Sequence, residues 1–437
     1  MTHDFISSPA DALQGEFTIP GDKSISHRAI MLGSIAQGVT RVHGFLDGED
    51  CLATLNAFQS MGVRIERHEA QEVVIHGVGK KGLQKPLTTL DCGNSGTSMR
   101  LLAGILSAQA FDSELVGDDS LNKRPMERIR RPLLQMGAEI SSSDGRPPLM
   151  ISGGQSLRGI TYEMPEASAQ VKSCLLLAGM YATGETRVIE PVLARDHTER
   201  MLASFSYPIK RDNNLIIINS SSECIGTDIT VPGDISSAAF FIVAATLIPH
   251  SELLIKNVGV NSTRTGLLHI LKRMGANISI SNRRQYGEEP IADLYVRHAK
   301  LRGIVIPEAI VPAAIDEFPV LFIAAACAEG QTILHGAKEL RCKESDRIAV
   351  MVDGLTRLGV EAKALDDGIF IRGGILQGGE VDSQQDHRIA MAFAIAGAMA
   401  TSPVTIKHCE NVSTSFPSFV ALANQINLSI RVLKNES

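Results

Sequence analysis

The sequence predicts an α/β protein made of two similar halves, and three observations carry that expectation. Pro20-Gly21-Asp22 opens a serine-containing turn into an apolar stretch, and Pro232-Gly233-Asp234 does so again at an offset of 212 residues. Met61-Gly62-Val63 and Met274-Gly275-Ala276 each close a helix-like stretch, at an offset of 213. Two agreeing offsets mark an internal repeat, and a repeat of this length points to duplicated structural units. The third observation is a recurring local unit, a helix-like stretch ending in glycine and turning at once into alternating residues. Glycine fits a helix C-terminus that needs positive φ, and period two marks a strand.

In chain order, Leu55 to Gly62 leads into Val63-Arg64-Ile65-Glu66, and Leu133 to Gly137 into Ala138-Glu139-Ile140-Ser141. Leu271 to Gly275 leads into Ala276-Asn277-Ile278-Ser279, and Leu355 to Gly359 into Val360-Glu361-Ala362-Lys363. Weaker versions occur at Met201 to Lys210 and Phe419 to Ile430. That makes three units per half, each of about 70 residues and long enough for further strands and a second helix. The expected domains are 21–234 for the first half, and 1–20 with 235–437 for the second. If the residues before Pro20 form a strand of the second domain, the chain crosses twice and the crossings form a hinge. Loops are expected at 77–86, 144–148, 220–226 and 282–290, which are rich in Gly, Ser, Asn or Pro.

Composition narrows the function. The 437 residues are 44% hydrophobic and 21% charged, without Trp and with 4% aromatics, so the cores must be aliphatic. A net charge of −6 argues against a nucleic-acid binder. The start, MTHDFISSPADALQ, lacks the pattern of a secretory signal, which makes a cytoplasmic protein the expectation. The apolar runs Ala238 to Ile248 and Ile389 to Ala400 fall short of the roughly 20 residues that span a membrane, and read as buried helices. Seven cysteines at 51, 92, 174, 224, 327, 342 and 409 form no CxxC pair, so reduced thiols are expected, with neither disulfides nor zinc.

The two repeat starts differ in chemistry. Lys23, Ser24 and Arg28 follow the first turn, where Ile235, Ser236 and Phe240 stand after the second. Free amide donors and the dipole of a helix start favour an anion, and adjacent Lys and Arg strengthen the preference. Asp91-Cys92-Gly93-Asn94-Ser95-Gly96-Thr97-Ser98-Met99-Arg100 is a second glycine-punctuated turn, though it matches neither a P-loop nor a dinucleotide fingerprint. Asn122-Lys123-Arg124-Pro125 offers another anion contact, and Ser168 reads as the cap of a helix that exposes Gln170 in its first turn. In Arg195-Asp196-His197-Thr198-Glu199-Arg200, His and Glu two apart cannot share a helix face, which argues against metal. In the second half, Asp316-Glu317 precede the apolar run Phe318 to Ala328, so a carboxylate stands beside a dry region as a candidate general base or a helix cap. Lys343, Glu344 and Arg347 fall within one turn, and Asp386-His387-Arg388 stand at the mouth of the apolar stretch Ile389 to Ala400.

The blocks GDKSISHR, GNSGTSMR, NKRP, SAQVKS, RDHTER, NSTRTGL, DEFP, KESDRI and DHRIAMAFAI follow one another along nearly the whole chain. In this order the chain resembles the 5-enolpyruvylshikimate-3-phosphate synthase family. The resemblance implies transfer of the enolpyruvyl group of phosphoenolpyruvate to the 5-hydroxyl of shikimate 3-phosphate, with release of phosphate, on the way to chorismate and aromatic amino acids. It implies an inside-out α/β barrel of two domains, each of three βαβαββ units around buried helices, with the site between them. It also implies a glyphosate-sensitive monomer that acts on small molecules and uses neither metal nor redox cofactor. Carried over by position, Lys23 contacts both substrates. Ser24, Arg28, Ser168, Ala169, Gln170, Arg195, Asp316 and Lys343 hold shikimate 3-phosphate, while Gly96, Arg124, Gln170, Arg347 and Arg388 surround phosphoenolpyruvate. Asp316 is the implied base for the 5-hydroxyl and Glu344 the implied proton donor. On this reading shikimate 3-phosphate closes the hinge before phosphoenolpyruvate binds.

Four positions depart from the best-studied branch of the family. Ala169 replaces a serine, Arg195 a tyrosine, Leu101 a proline, and Thr414 a basic residue, as in the second, microbial class. Thr414 is therefore left out of the site. The sister transferase acting on UDP-N-acetylglucosamine is the nearest alternative, but Gly117 to Lys123 lacks its loop cysteine, and Lys23-Ser24 stands where it has Lys-Asn. A non-catalytic anion binder on the same repeat is the other.

Overall fold

In the computed structural model, which describes residues 2–69 and 71–435, the strands form six open sheets. The chain divides into two units. The first holds Gly21–Pro232 with Gln285–Glu289; the second holds Met1–Pro20, Gly233–Arg284 and Pro290–Ser437, whose residues 1, 436 and 437 lie outside the described ones. Each unit contains three sheets. The sheet of Leu90–Asp91, Ser113–Val116, Glu139–Ser143 and Arg146–Ser152 shows the pattern. Its first two strands pair in parallel, and its last strand inserts antiparallel between the second and the third. A parallel pair needs a helical crossover, while the antiparallel pair needs only a hairpin, which is the βαβαββ order. In the second unit the amino-terminal strands Thr2–Ser8 and Gln14–Thr18 complete two sheets. In its remaining sheet, the first strand is reduced to isolated parallel bridges, Arg302 with Glu329 and Val305 with Ile333. The protein is thus an α/β fold of βαβαββ units.

Six helices are described in the first unit: α1 (Lys23–Ile35), α2 (Glu49–Ser60), α3 (Gly96–Leu106), α4 (Glu127–Gln135), α5 (Ala169–Gly179) and α6 (His197–Ser204). Six follow in the second: α7 (Ile235–Leu247), α8 (Gly266–Met274), α9 (Phe318–Ala326), α10 (Arg347–Arg357), α11 (His387–Met399) and α12 (Phe419–Gln425). In each unit three helices are buried almost throughout, α1, α3 and α5 in one and α7, α9 and α11 in the other. Their all-round burial explains why the sequence shows apolar runs there instead of a helical stripe. The alternate helices carry one apolar face, as α4, α8 and α10 show by burying one side. Close packing of the buried set needs small residues: a Cβ on Gly104 of α3 would collide with the Cys174 carbonyl of α5.

The four clear helix-to-strand turns place Gly62, Gly137, Gly275 and Gly359 at φ of 87°, 97°, 103° and 83°. The two weaker ones use Ser206 at 58° and Asn427 at 74° instead, and strands follow at Lys210–Asp212 and Ser429–Asn435. The loop expected over 282–290 is largely a hairpin, because Asn277–Tyr286 and Glu289–Arg297 run as strands to its tip. Among the described residues no helix is long and apolar enough to cross a membrane. All seven cysteines are free; Cys342 is exposed and Cys327 half-buried, the rest buried.

Candidate active site

In the first unit the starts of the three buried helices carry the polar groups. Asp22 caps α1 by accepting from the Ile25 amide at 2.9 Å, and Ser95 caps α3 by accepting from Ser98 at 3.0 Å. Ser168 caps α5 by accepting from Val171 at 3.4 Å. Each start presents about half a positive charge together with unused amide donors. Side chains join them. Arg100 Nη1 donates to Gln170 Oε1 at 2.6 Å, and Gln170 Nε2 donates to Thr97 Oγ1 at 3.0 Å. Arg124 Nη2 donates to Asn94 Oδ1 at 2.7 Å and to Ser120 Oγ at 3.2 Å. Gly96 is closely bordered: a Cβ there would stand 2.8 Å from Arg100 Nη1 and 3.4 Å from Arg124 Nη1.

Lys23 forms an ion pair with Asp50 at the start of α2. Ser24, Ser168, Ala169, Gln170 and Arg195 are half-buried, as befits groups at the mouth of a packed bundle. Arg28 lies deeper. Its Nε donates to Thr198 Oγ1 at 2.7 Å, its Nη1 to the Ser24 carbonyl at 2.9 Å and its Nη2 to Ser173 Oγ at 2.8 Å. Burial lowers its pKa to about 10, with Glu199 and Asp22 opposing and Arg195 adding to the effect. His27, next to it, has its Nδ1 2.8 Å from Thr54 Oγ1, which in turn lies 2.6 Å from Ser98 Oγ. Burial first, then the charges of Lys23 and Arg28, hold this imidazole well below its ordinary pKa, so it is neutral.

In the second unit one guanidinium gathers the carboxylates. Arg347, the first residue of α10, is 1% exposed. Its Nε donates to Asp386 Oδ2 at 2.8 Å and its Nη2 to Glu344 Oε2 at 2.5 Å, while its Nη1 stands 3.6 Å from Asp316 Oδ1. Burial by itself disfavours the cation, but Asp386, Glu344 and Asp316 outweigh it and raise the pKa. Lys343 Nζ lies 3.5 Å from Asp316 Oδ1 and 2.7 Å from Glu339. Arg388 Nη1 donates to the Asp316 carbonyl at 3.0 Å, and Asp386 caps α11 through the Arg388 amide at 3.0 Å. Lys343 and Glu344 precede α10, whose cap is Asp346, accepting from Ala349 at 3.0 Å. Asp316, Lys343, Glu344, Arg347 and Arg388 therefore meet, although 72 residues separate the first from the last.

Comparison with known proteins agrees with the blocks of sequence. Residues 8–422 match the model of EPSP synthase (3-phosphoshikimate 1-carboxyvinyltransferase). A 3-phosphoshikimate 1-carboxyvinyltransferase of Legionella pneumophila is 65% identical over 426 residues, with 98% of each chain covered. One from Methylococcus capsulatus is 58% identical over 429 residues, again covering 98% of each. The chain belongs to the EPSP synthase family. A solved EPSP synthase from Acinetobacter baumannii superposes with a TM-score of 0.89 at 55% identity, covering 99% of this chain and all of that one. The enolpyruvyl transferase NikO from Streptomyces tendae shares the fold, with a TM-score of 0.81 at 16% identity.

Three participants escaped the sequence reading of this family member. Asp50 was not among the candidate residues, and nothing in the sequence around it links it to Lys23. Arg100 closes the GNSGTSMR block but received no role, and Asp386 was noticed only as part of a polar triplet. The signal available for Asp386 was its place before an apolar helix, the pattern that singled out Asp316. Thr414, where the best-studied branch carries a basic residue, is 4% exposed and donates to the Asn411 carbonyl at 2.7 Å. Among the described residues no group of three His, Cys, Asp or Glu is placed to hold a metal ion.

Proposed function

We propose that this chain transfers the enolpyruvyl group of phosphoenolpyruvate to the 5-hydroxyl of shikimate 3-phosphate and releases phosphate. The observation that carries the assignment of roles is the cluster around Arg347, in which Asp316 and Glu344 share one buried guanidinium. Two substrates that each bear a carboxylate and a phosphate bring roughly six negative charges at neutral pH. Lys23, Arg28, Arg124, Arg195, Lys343, Arg347 and Arg388 supply the cations, and the starts of α1, α3 and α5 supply oriented amides.

On this reading Asp316 takes the proton of the 5-hydroxyl as the oxygen adds to the second carbon of phosphoenolpyruvate. Glu344 gives a proton to the methylene carbon, which produces a tetrahedral intermediate. Loss of phosphate, with return of a methyl proton to the protein, leaves the enolpyruvyl ether. Lys23, Ser24, Arg28, Ser168, Ala169, Gln170, Arg195 and Lys343 hold the acceptor, while Gly96, Arg124, Arg347 and Arg388 hold phosphoenolpyruvate. The steps move protons and one carboxyvinyl fragment, which positioned acid and base groups can serve. We read the division at 21–234 as that of the working domains, and the enzyme as a cytoplasmic monomer of the shikimate pathway.

The test is phosphate release by the purified protein with phosphoenolpyruvate and each acceptor in turn. Release with shikimate 3-phosphate alone supports the proposal. Release with UDP-N-acetylglucosamine points to the sister activity, and release with neither acceptor to a binding protein.

A further inference from the structure

Arg28 differs from two other buried arginines, Arg347 and Arg264, in what holds it. Arg347 is bound by the carboxylates of Asp386 and Glu344, and Arg264 by Asp234 at 3.2 Å. Among the described residues, the hydrogen-bond partners of Arg28 are all neutral oxygens: the hydroxyls of Thr198 and Ser173 and the carbonyl of Ser24. The two hydroxyls are 1% exposed and bond each other at 2.7 Å, so they form one rigid clamp on the guanidinium edge. The neighbouring Lys172, fully buried, is by contrast neutralised by Glu190 at 3.0 Å and Glu199 at 2.7 Å. The carboxylates of this region thus go to Lys172, while hydroxyls go to Arg28.

A buried charge without a contacting counter-ion is costly, and a fixed dipole relieves that cost only in part. Such an arrangement leaves the charge available to an arriving anion, whereas a carboxylate in the same place would cancel it. We propose that Ser173 and Thr198 are positioning residues for the acceptor: they fix Arg28 with neutral oxygens and so preserve its charge for shikimate 3-phosphate. The inference rests on the functional reading above, in which Arg28 holds that substrate.

Thr198→Val keeps the side-chain shape and removes the hydroxyl, and Thr198→Ser keeps the hydroxyl. Each is compared with the wild-type enzyme by calorimetric titration with shikimate 3-phosphate and by steady-state kinetics. The expected result for Thr198→Val is acceptor affinity weaker by tenfold or more, with kcat and the KM for phosphoenolpyruvate changed less than twofold. Thr198→Ser should return acceptor affinity to within twofold of wild type. Ser173→Ala provides the same readout if Thr198→Val does not fold. Folded Thr198→Val or Ser173→Ala with wild-type acceptor affinity overturns the clamp, as does an equal rise in the constants of both substrates. A wild-type protein that does not bind shikimate 3-phosphate overturns the functional reading and the clamp with it, whereas normal wild-type binding beside an unaffected variant overturns the clamp alone.

Discussion

Adding one methyl group at Gly96 should separate the substrate phosphoenolpyruvate from its longer competitor glyphosate, and the structure indicates how. The new Cβ stands 2.8 Å from Arg100 Nη1, closer than real contacts allow, and 3.4 Å from Arg124 Nη1. Arg100 must retreat by about 0.6 Å to reach ordinary contact. Both atoms that meet the methyl are ends of flexible side chains, so the fold should absorb the change with little loss of thermal stability. The retreat strains the 2.6 Å bond from Arg100 to Gln170 and pushes the methyl into whatever ligand lies over the start of α3. Hydrogen bonds to a charged group contribute about 1.5–3 kcal/mol, so weakening this one costs up to roughly a hundredfold in affinity for any ligand that depends on it. Steric exclusion then adds to that loss for the longer ligand alone. Phosphate-release kinetics with Gly96→Ala should therefore show a moderate rise in the KM for phosphoenolpyruvate and a larger rise in the glyphosate inhibition constant, with their ratio up by about tenfold or more. A ratio that does not move means Gly96 does not face the inhibitor. A large drop in melting temperature means the methyl struck the core instead of the site.

Asp316→Asn should bind shikimate 3-phosphate normally and turn over roughly a hundredfold more slowly, the usual loss on removing a positioned base; near-normal turnover in the folded variant removes Asp316 from that role. Arg347→Met leaves Asp386, fully buried, without its counter-ion, and urea unfolding should show a loss of about 3–5 kcal/mol; a loss under 1 kcal/mol means the cluster relaxes or takes in water. His27 has a folded-state pKa below its unfolded value of 6.5, so the unfolded chain binds the extra proton and stability falls as pH drops below that value. Urea titrations from pH 7.5 to 5 should find this contribution growing toward about 1.4 kcal/mol per pH unit, and His27→Asn, which keeps a donor toward Thr54, should flatten it; equal slopes in both proteins mean His27 is not the group responsible.

The repeat and most of its turns were legible in the chain because they are local. A glycine at φ near 90° ends a helix whatever lies beyond it, and alternation after it marks a strand without reference to a partner. The two turns that use Ser206 and Asn427 were harder to read, since serine seldom adopts a left-handed conformation and asparagine signals it less strongly than glycine. The loop assigned to 282–290 failed for a related reason: a hairpin tip rich in polar residues has the composition of a loop, and only pairing between Ile291–Tyr295 and the strand Glu252–Gly259 shows that the strands continue.

The residues of the site were legible one by one, as basic groups after glycine-rich turns and carboxylates beside apolar helices. Their partners were not. Arg28 meets Thr198 across 170 residues and Ser173 across 145, and Arg347 meets Asp386 across 39. Residue type alone could not say that Arg28 is held by hydroxyls while Arg347 is held by carboxylates. That choice follows from which buried helix starts are brought together when α1 packs with α6 and α10 with α11. Local conformation depends on a residue and its near neighbours, whereas the pairing of buried charges depends on which ends meet after the apolar faces have packed, and only tertiary structure sets that.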